Sequence, residues 1–377
     1  MGANRGIRLR VIGLGALTAV AALALSACSS DGASTGSRTN GAGNTVGSAP
    51  AGLASFSATS PPPEIPRLSG TPRKGVNMVV VQCNVPSCVQ TFAPIKTGIS
   101  KLGWNLKIIT YDISGGPNAL NTALRQGIKA KPDYMTWNSA FPYETQAKTV
   151  EAAKAAGIGL IPINGTMQPA FLNCLSCSKE FVGAGVTAMK IPQALEKNPN
   201  VGLVLQPDLK SQADEMAGMK KQAEAAGGSV SGINVSASNP APVNNQIVVG
   251  YLRTHPQIKY VVTTVDVFGQ GLPAALKQAG LDSKVKYIMN VMMPGGNDIN
   301  LAKSGQATAG IAVELEMASY RVLDTAARDV LKEKIPADLV DPAGWQQVVT
   351  KDNASSLPAS FQAKDYEQAF YKAWGIR

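Results

Sequence analysis

Few residues in this chain could do covalent or acid–base chemistry: 377 residues include five cysteines and one histidine. Cys83, Cys88, Cys174 and Cys177 are closely spaced thiols, and Cys174-Leu175-Ser176-Cys177 has the C-x-x-C form of a redox dithiol. Such dithiols work at the N-terminus of a helix after a first strand, and this one lacks that setting. Four thiolates on zinc are a second option, with no histidine cluster to support them. His255 stands alone before Pro256, so a histidine-based triad has no support, and phosphate-loop and calcium-loop spacings are absent. The chain is therefore not expected to be an enzyme, and no cofactor or metal is expected. What remains is recognition chemistry. Asn84, Asn138, Asn164 and Asn290 carry amides that both donate and accept, Asp214, Glu215, Asp266 and Glu314 carry carboxylates, and Trp137, Phe141, Phe268 and Met293 offer aromatic or adaptable apolar surface.

The amino-terminal stretch says where this chemistry would operate. Arg5, Arg8 and Arg10 precede an apolar run over 11–27, with no acidic residue before it. The run is shorter than the ~20 residues of a membrane-spanning helix and reads as an export signal. Leu25-Ser26-Ala27-Cys28 resembles the lipobox of bacterial lipoproteins. That resemblance implies removal of residues 1–27, a lipid on Cys28, and a place in the cell envelope outside the cytoplasm, anchored to the membrane. Residues 29 to about 66 are rich in Ser, Gly, Ala, Thr, Asn and Pro, too poor in apolar surface to fold alone, and a disordered tether is expected over 28–73. With Cys28 so used, four cysteines remain, and an even number in an exported chain argues for two disulfides. The pairs Cys83 with Cys88 and Cys174 with Cys177 close the smallest loops, although spacing alone does not fix the connectivity. Net charge is +10, yet the lysines are scattered without interleaved aromatics, which argues against a nucleic-acid partner.

Roughly three hundred residues follow the tether, more than one core usually organises. Short apolar runs alternate with amphipathic segments in two cycles. The first reads as strand 76–81, helix 89–102 stopped by Gly103, strand 106–111, helix 118–130, strand 133–137, helix 144–156 stopped by Gly157, and strand 159–163. The second reads as strand 201–205, helix 212–226, strand 232–236, helix 243–254, strand 258–264, helix 271–279 and strand 284–290. Strands that recur only after helices make parallel βαβ units. The expected fold class is α/β, with two similar doubly wound parallel-sheet lobes and a ligand cleft at the carboxyl ends of their strands. Asn84, Asn138, Asn164 and Asn290 all follow strands, either to meet a ligand or because asparagine favours turns.

In this order the chain resembles the type I periplasmic binding proteins, in particular their ribose and galactose branch. The resemblance covers about residues 75–335. It rests on Asn84-Val85-Pro86, Pro162-Ile163-Asn164, Val265-Asp266, and the phrase from Gly305-Gln306-Ala307 to Ile311 before a helix over 317–332. It implies a three-crossover hinge near 182–185, 313–315 and 335–341, dividing the chain into one lobe of 74–182 plus 316–340 and another of 183–315 plus 341–377. Gly183 and Gly185 could absorb hinge rotation there, or be ordinary helix-entry glycines. The implied role is that of a monomeric solute-binding protein that closes on a sugar or sugar-like molecule and hands it to an ABC permease and its ATPase. A sensor reporting to a membrane receptor would have the same lobes.

Departures from the family's pattern bear on the ligand. Asn164-Gly165 stand where the family has an acid and an arginine, and Asp214 stands where the second lobe has an arginine. Val265 replaces an asparagine, the acid after the last strand falls among Val291, Met292 and Met293, and Ser87-Cys88 replace an aromatic pair. A pocket more neutral and apolar than a pentose site is expected, and a less polar metabolite is the rival ligand class.

Overall fold

The computed structural model describes residues 64–377 apart from 140, 178, 293–296, 314, 337–345, 356–364 and 377. The expected export signal, Cys28, Met293 and Glu314 lie outside the described residues, as does the expected tether up to residue 63.

β1 (Asn77–Cys83) is apolar on both faces and almost wholly buried, as befits a central parallel strand covered by helices on each side. It pairs with β2 (Asn105–Tyr111) and β3 (Tyr134–Trp137), and β4 (Gly159–Leu160) completes a parallel sheet of order β2-β1-β3-β4. Single bridges from Asn138 to Ile163 and from Ile163 to Leu175 prolong its far edge. Its covering helices are α1 (Pro86–Phe92), α2 (Ile95–Leu102), α3 (Gly116–Lys129) and α4 (Ala147–Ala155). The helix expected over 89–102 is two helices, because Pro94 cannot continue a helical ladder and becomes the N-cap of the second. Gly103, at φ 67°, ends α2 in the left-handed conformation that a side chain would disfavour.

The second sheet has the order β10-β9-β8-β7-β5-β6. Its strands are β5 (Asn200–Leu205), β6 (Ser229–Asn234), β7 (Tyr260–Thr263), β8 (Lys286–Met292), β9 (Ala309–Val313) and β10 (Gln346–Val349), all in parallel pairs except for β10, which runs antiparallel to β9. α5 (Lys179–Leu195), α6 (Lys210–Ala226), α7 (Ala241–Thr254), α8 (Asp266–Gly269), α9 (Leu272–Gln278) and α10 (Asn297–Lys303) flank it. Alternation along the strands feeds a core on each face of both sheets: Val80 enters one cluster while Val79 and Val81 enter another, and Val204 and Leu203 divide the same way.

The passages between lobes hold two corrections. Gly183 and Gly185 lie inside α5, away from the left-handed region, so they are not hinge points. A Cβ on Gly185 would sit 2.1 Å from the Glu215 carbonyl oxygen, and one on Gly218 would sit 2.0 Å from that of Val182, so glycine serves the close approach of α5 to α6. After β9 the chain returns to the first lobe as α11 (Met317–Val330), gives β10 to the second, and returns again as α12 (Tyr366–Trp374). Of the described residues in 341–377, β10 and Ala354 join the second lobe, whereas Phe370, Tyr371 and Trp374 pack into the first-lobe core with Tyr320.

The tether also ends earlier than residue 73. Leu68 is buried in the same core and donates its amide to the Ala373 carbonyl at 2.9 Å, and Arg73 pairs with Asp133 at 2.6 Å. α11 organises this corner. Asp324 accepts from Arg328 Nε at 2.7 Å and from Trp374 Nε1 at 2.9 Å, while Arg328 Nη2 donates to the Pro66 carbonyl. Trp374 stacks on Tyr320 and is 1% exposed. Trp374→Ala is expected to cost about 3–5 kcal/mol of unfolding free energy in urea titrations, the range for deleting a large core aromatic. A loss below about 1 kcal/mol would mean that α12 does not belong to this core.

Candidate ligand-binding cleft

The strands of each sheet deliver their carboxyl ends to one edge, and the loops that leave those edges meet around a cavity of about 100 Å³. From the first lobe come Val85 and Ser87 after β1, Ile113 after β2, Asn138 after β3 and Asn164 after the prolonged fourth strand. From the second come Leu209 and Gln212 after β5, Ala237 after β6, Val265, Val267 and Phe268 after β7, and Val291 near the end of β8. Phe181, Leu315 and Ala318 close it where the chain passes between lobes.

Three of the expected residues line this cavity. Asn138, 9% exposed, donates through Nδ2 to Cys88 Sγ at 3.5 Å, while its buried Oδ1 has no hydrogen-bond partner. Asn164 adopts φ 63°, a left-handed geometry that asparagine tolerates, and its amide is held by the Leu175 carbonyl at 2.9 Å. Phe268, on α8, closes the second-lobe side.

Seven others stand outside the lining of this cavity. Asn84 bonds Asp112 Oδ1 through Nδ2 and accepts from the Ile113 amide, both at 3.2 Å, so it shapes the loop that presents Ile113. Trp137 is fully buried, with Nε1 donating to Gln146 Oε1 at 2.8 Å, and Phe141 packs in the same apolar cluster. Asp214 forms an ion pair with Lys210 one turn earlier. Glu215, 1% exposed, accepts from Asn290 Nδ2 at 2.8 Å; burial pushes its carboxyl well above the usual range, and the Asp214 charge adds to this. Asn290 uses its Oδ1 to accept from the Val291 amide at 3.1 Å, steadying a valine at φ 50°, a strained conformation for a β-branched residue. Asp266 begins α8 between two residues that line the cavity and does not line it itself.

Sequence reasoning missed Ile113, Phe181, Leu209, Gln212 and Leu315. Ile113, Leu209 and Gln212 follow strands just as the asparagines do, and extending that rule to every strand would have found them. Phe181 adjoins the first expected crossover and Leu315 lies in the second, where Glu314 was the side chain expected to meet a ligand.

Both cysteine pairs sit at this edge. Cys83 with Cys88, and Cys174 with Cys177, stand at bonding distance. Cys177 Sγ accepts from the Gly165 amide at 3.2 Å, next to Asn164, so each lining asparagine is braced by or beside a sulfur.

Neither a family model nor a curated protein matches the sequence. Solved structures do match. A glucose-galactose binding protein from Geobacillus stearothermophilus superposes with a TM-score of 0.65 at 15% identity, over 74% of this chain and 99% of its own. The carbohydrate-transporter solute-binding protein of Agrobacterium radiobacter in complex with D-arabinose gives 0.64 at 17% identity, over 79% and 99%. The fructose-binding periplasmic domain of a hybrid two-component system gives 0.65 at 15% identity, over 74% and 92%. The fold is that of the two-lobed periplasmic binding proteins. Within that fold the cavity occupies the gap between lobes, with the strand tips of both sheets around it.

Asp266 offers a measurable consequence of this geometry. Burial lifts its pKa from 3.8 to about 6, helped by the neighbouring charge of Asp298. The folded chain thus keeps a proton that the unfolded chain releases between about pH 4 and pH 6, so this group loses the fold stability as pH rises through that window. Asp266→Asn is expected to gain about 2–3 kcal/mol on the wild type between pH 3.5 and pH 7, read from urea titrations at both values. A difference that does not change with pH would place the carboxylate in solvent.

Proposed function

We propose that this chain is an extracytoplasmic solute-binding lipoprotein of an ABC importer, and that it captures one small organic molecule by closing two lobes on it. The observation that carries the reading is the cavity itself, walled by loops from the carboxyl edges of two separate sheets. Sugars bound by the similar structures set the size of the solute: a sugar, or a molecule of a sugar's dimensions. The arginine-led apolar stretch and Cys28 support export and lipid anchoring. In that oxidising compartment both cysteine pairs persist as disulfides. The chain acts as a monomer, with a permease and its ATPase as partners.

Binding proceeds by population shift. A solute first meets one lobe, and the second lobe swings in to make the remaining contacts. Two contacts across the gap support this: Leu209, from the second-lobe loop before α6, joins the first-lobe apolar cluster, and Ser238 Oγ donates to the Ser114 carbonyl at 3.4 Å. A sensing role is the second reading, favoured by the similarity to the periplasmic domain of a two-component system. Neighbouring permease and ATPase genes would support import, and a neighbouring histidine kinase would support sensing.

Val265→Trp should fill the cavity from the second-lobe side. In a thermal-shift screen of sugars, polyols and hydrophobic catabolites, the wild type is expected to gain several degrees with at least one compound, and the variant is expected to gain nothing while its unliganded Tm stays within about 3 °C. A variant that keeps the full shift would put the binding site elsewhere. Cys28→Ser is expected to move the protein from the membrane fraction to the medium or periplasm; unchanged membrane association would end the lipid-anchor reading.

A further inference from the structure

Gln206-Pro207-Asp208-Leu209 leaves β5 as a turn, closed by the Leu209 amide on the Gln206 carbonyl at 3.1 Å. Gln206 fastens that turn on two sides. Its amide donates to Gln212 Oε1 on α6 at 2.6 Å, and its own Oε1 accepts from the Ala237 amide, in the loop after β6, at 2.7 Å. The two second-lobe loops thus form one unit, and Leu209 stands at its edge as the N-cap of α6 in an extended conformation, φ −87° and ψ 118°. Leu209 is 6% exposed, and its apolar cover comes from the other lobe. The cluster that it joins has all its other described members between Val79 and Cys177, and Val85 and Ile113 pack against that cluster too. The opposing lip is also fixed: the Ile113 amide donates to Asn84 Oδ1 at 3.2 Å and the Ser114 amide to Asp112 Oδ1 at 3.0 Å. Ser238, next to Ala237, reaches across to the Ser114 carbonyl.

We infer that Leu209 is a latch: an apolar side chain of the second lobe that holds the lobes together through the first-lobe core, whichever solute lies between them. This rests on the solute-binding reading above and adds what sets its closing equilibrium. Parting the lobes returns the leucine to water together with the first-lobe apolar surface that it covers, a loss that a polar residue at this lip would not incur. Burial of a leucine side chain shifts a two-state equilibrium by about tenfold or more. The latch raises the share of chains in the binding-competent arrangement, and the apparent affinity rises by the same factor for every solute. The Ser238 contact adds register more than strength, since both of its groups are exposed and turn to water when the lobes part.

The test uses the full chain carrying Cys28→Ser, with Ser114→Cys and Ser238→Cys as an exposed thiol pair across the lips and a short bis-maleimide as cross-linker. The four native cysteines stand paired and do not react. Without added solute the pair is expected to cross-link, and Leu209→Ala is expected to slow the reaction by about threefold or more while single-thiol labelling keeps its rate. Leu209→Met, which conserves the apolar volume, is expected to stay within about twofold of the parent. Should Leu209→Ala fail to fold, Ile113→Ala probes the same seam from the first lobe and is expected to slow cross-linking by about twofold or more. A rate that Leu209→Ala leaves unchanged overturns the latch. So does slowing by Leu209→Met as large as that by Leu209→Ala, which would mark a disturbed loop. Cross-linking that begins only when a compound from the thermal-shift screen is added overturns the latch and leaves closure on a solute standing. No cross-link in any background, with or without those compounds, removes both the latch and the closing of the lobes.

Discussion

Parallel pairing obliges all strands of a lobe to release their chains at the same edge, and helices returning over the faces leave only that edge for loops of variable sequence. In the first sheet the edge carries Cys83, Trp137 and the bridge at Ile163, so Val85, Asn138 and Asn164 emerge side by side. In the second it carries Leu205, Thr263 and Met292, and Leu209, Val265 and Val291 are brought together although dozens of residues separate them in the chain. The antiparallel β10 leaves this geometry intact because it adds beyond β9, whose own tip at Val313 lines the cavity.

Polar groups that do not face the cavity have structural work close behind it. Asp324, Arg328 and Trp374 tie the returning α11 to α12 and to the incoming chain at Pro66. Burial pushes the Asp324 carboxyl upward even with a guanidinium beside it. Glu215 and Asn290 form the corresponding device in the second lobe, where the asparagine links α6 to the end of β8 and sets the backbone of Val291. These pairs let the walls stay apolar: the amides and carboxylates needed to brace the loops lie one layer back.

The fold was legible in the sequence because its evidence is periodic. Runs such as Val79-Val80-Val81 and stops such as Gly103 are local features, and local physics decides them. The C-terminal helix was not legible, since its place depends on Trp374 meeting Tyr320 and Asp324 across some fifty positions, and nothing near residue 370 records that meeting. The site was half legible for a related reason. Following the strand tips places Asn138 and Asn164 at the cavity, but the same rule applies to Asn84 and Asn290, whose side chains turn to Asp112 and Glu215. Sequence position sets where a residue leaves a strand; the direction of its side chain depends on which partner waits there, and those partners come from other elements. Gly183 and Gly185 show the limit from another side, because a glycine that permits rotation and one that permits close packing are identical in a sequence.

The two lobes enter binding with different preparation. On the first, sulfur atoms occupy the hydrogen-bonding positions around both asparagines: Cys88 takes the Asn138 amide, and Cys177 takes the Gly165 amide beside Asn164. Sulfur is a weak acceptor, so it satisfies these groups without drawing water into the apolar space. The first-lobe wall therefore loses little freedom when a solute arrives. On the second, the wall includes residues of the single-turn α8 and Val291, whose strained backbone is held by the Asn290 side chain. On the proposed reading, a solute that docks on the braced first lobe would leave the second-lobe wall, with Leu209 already in the first-lobe cluster, to complete its contacts.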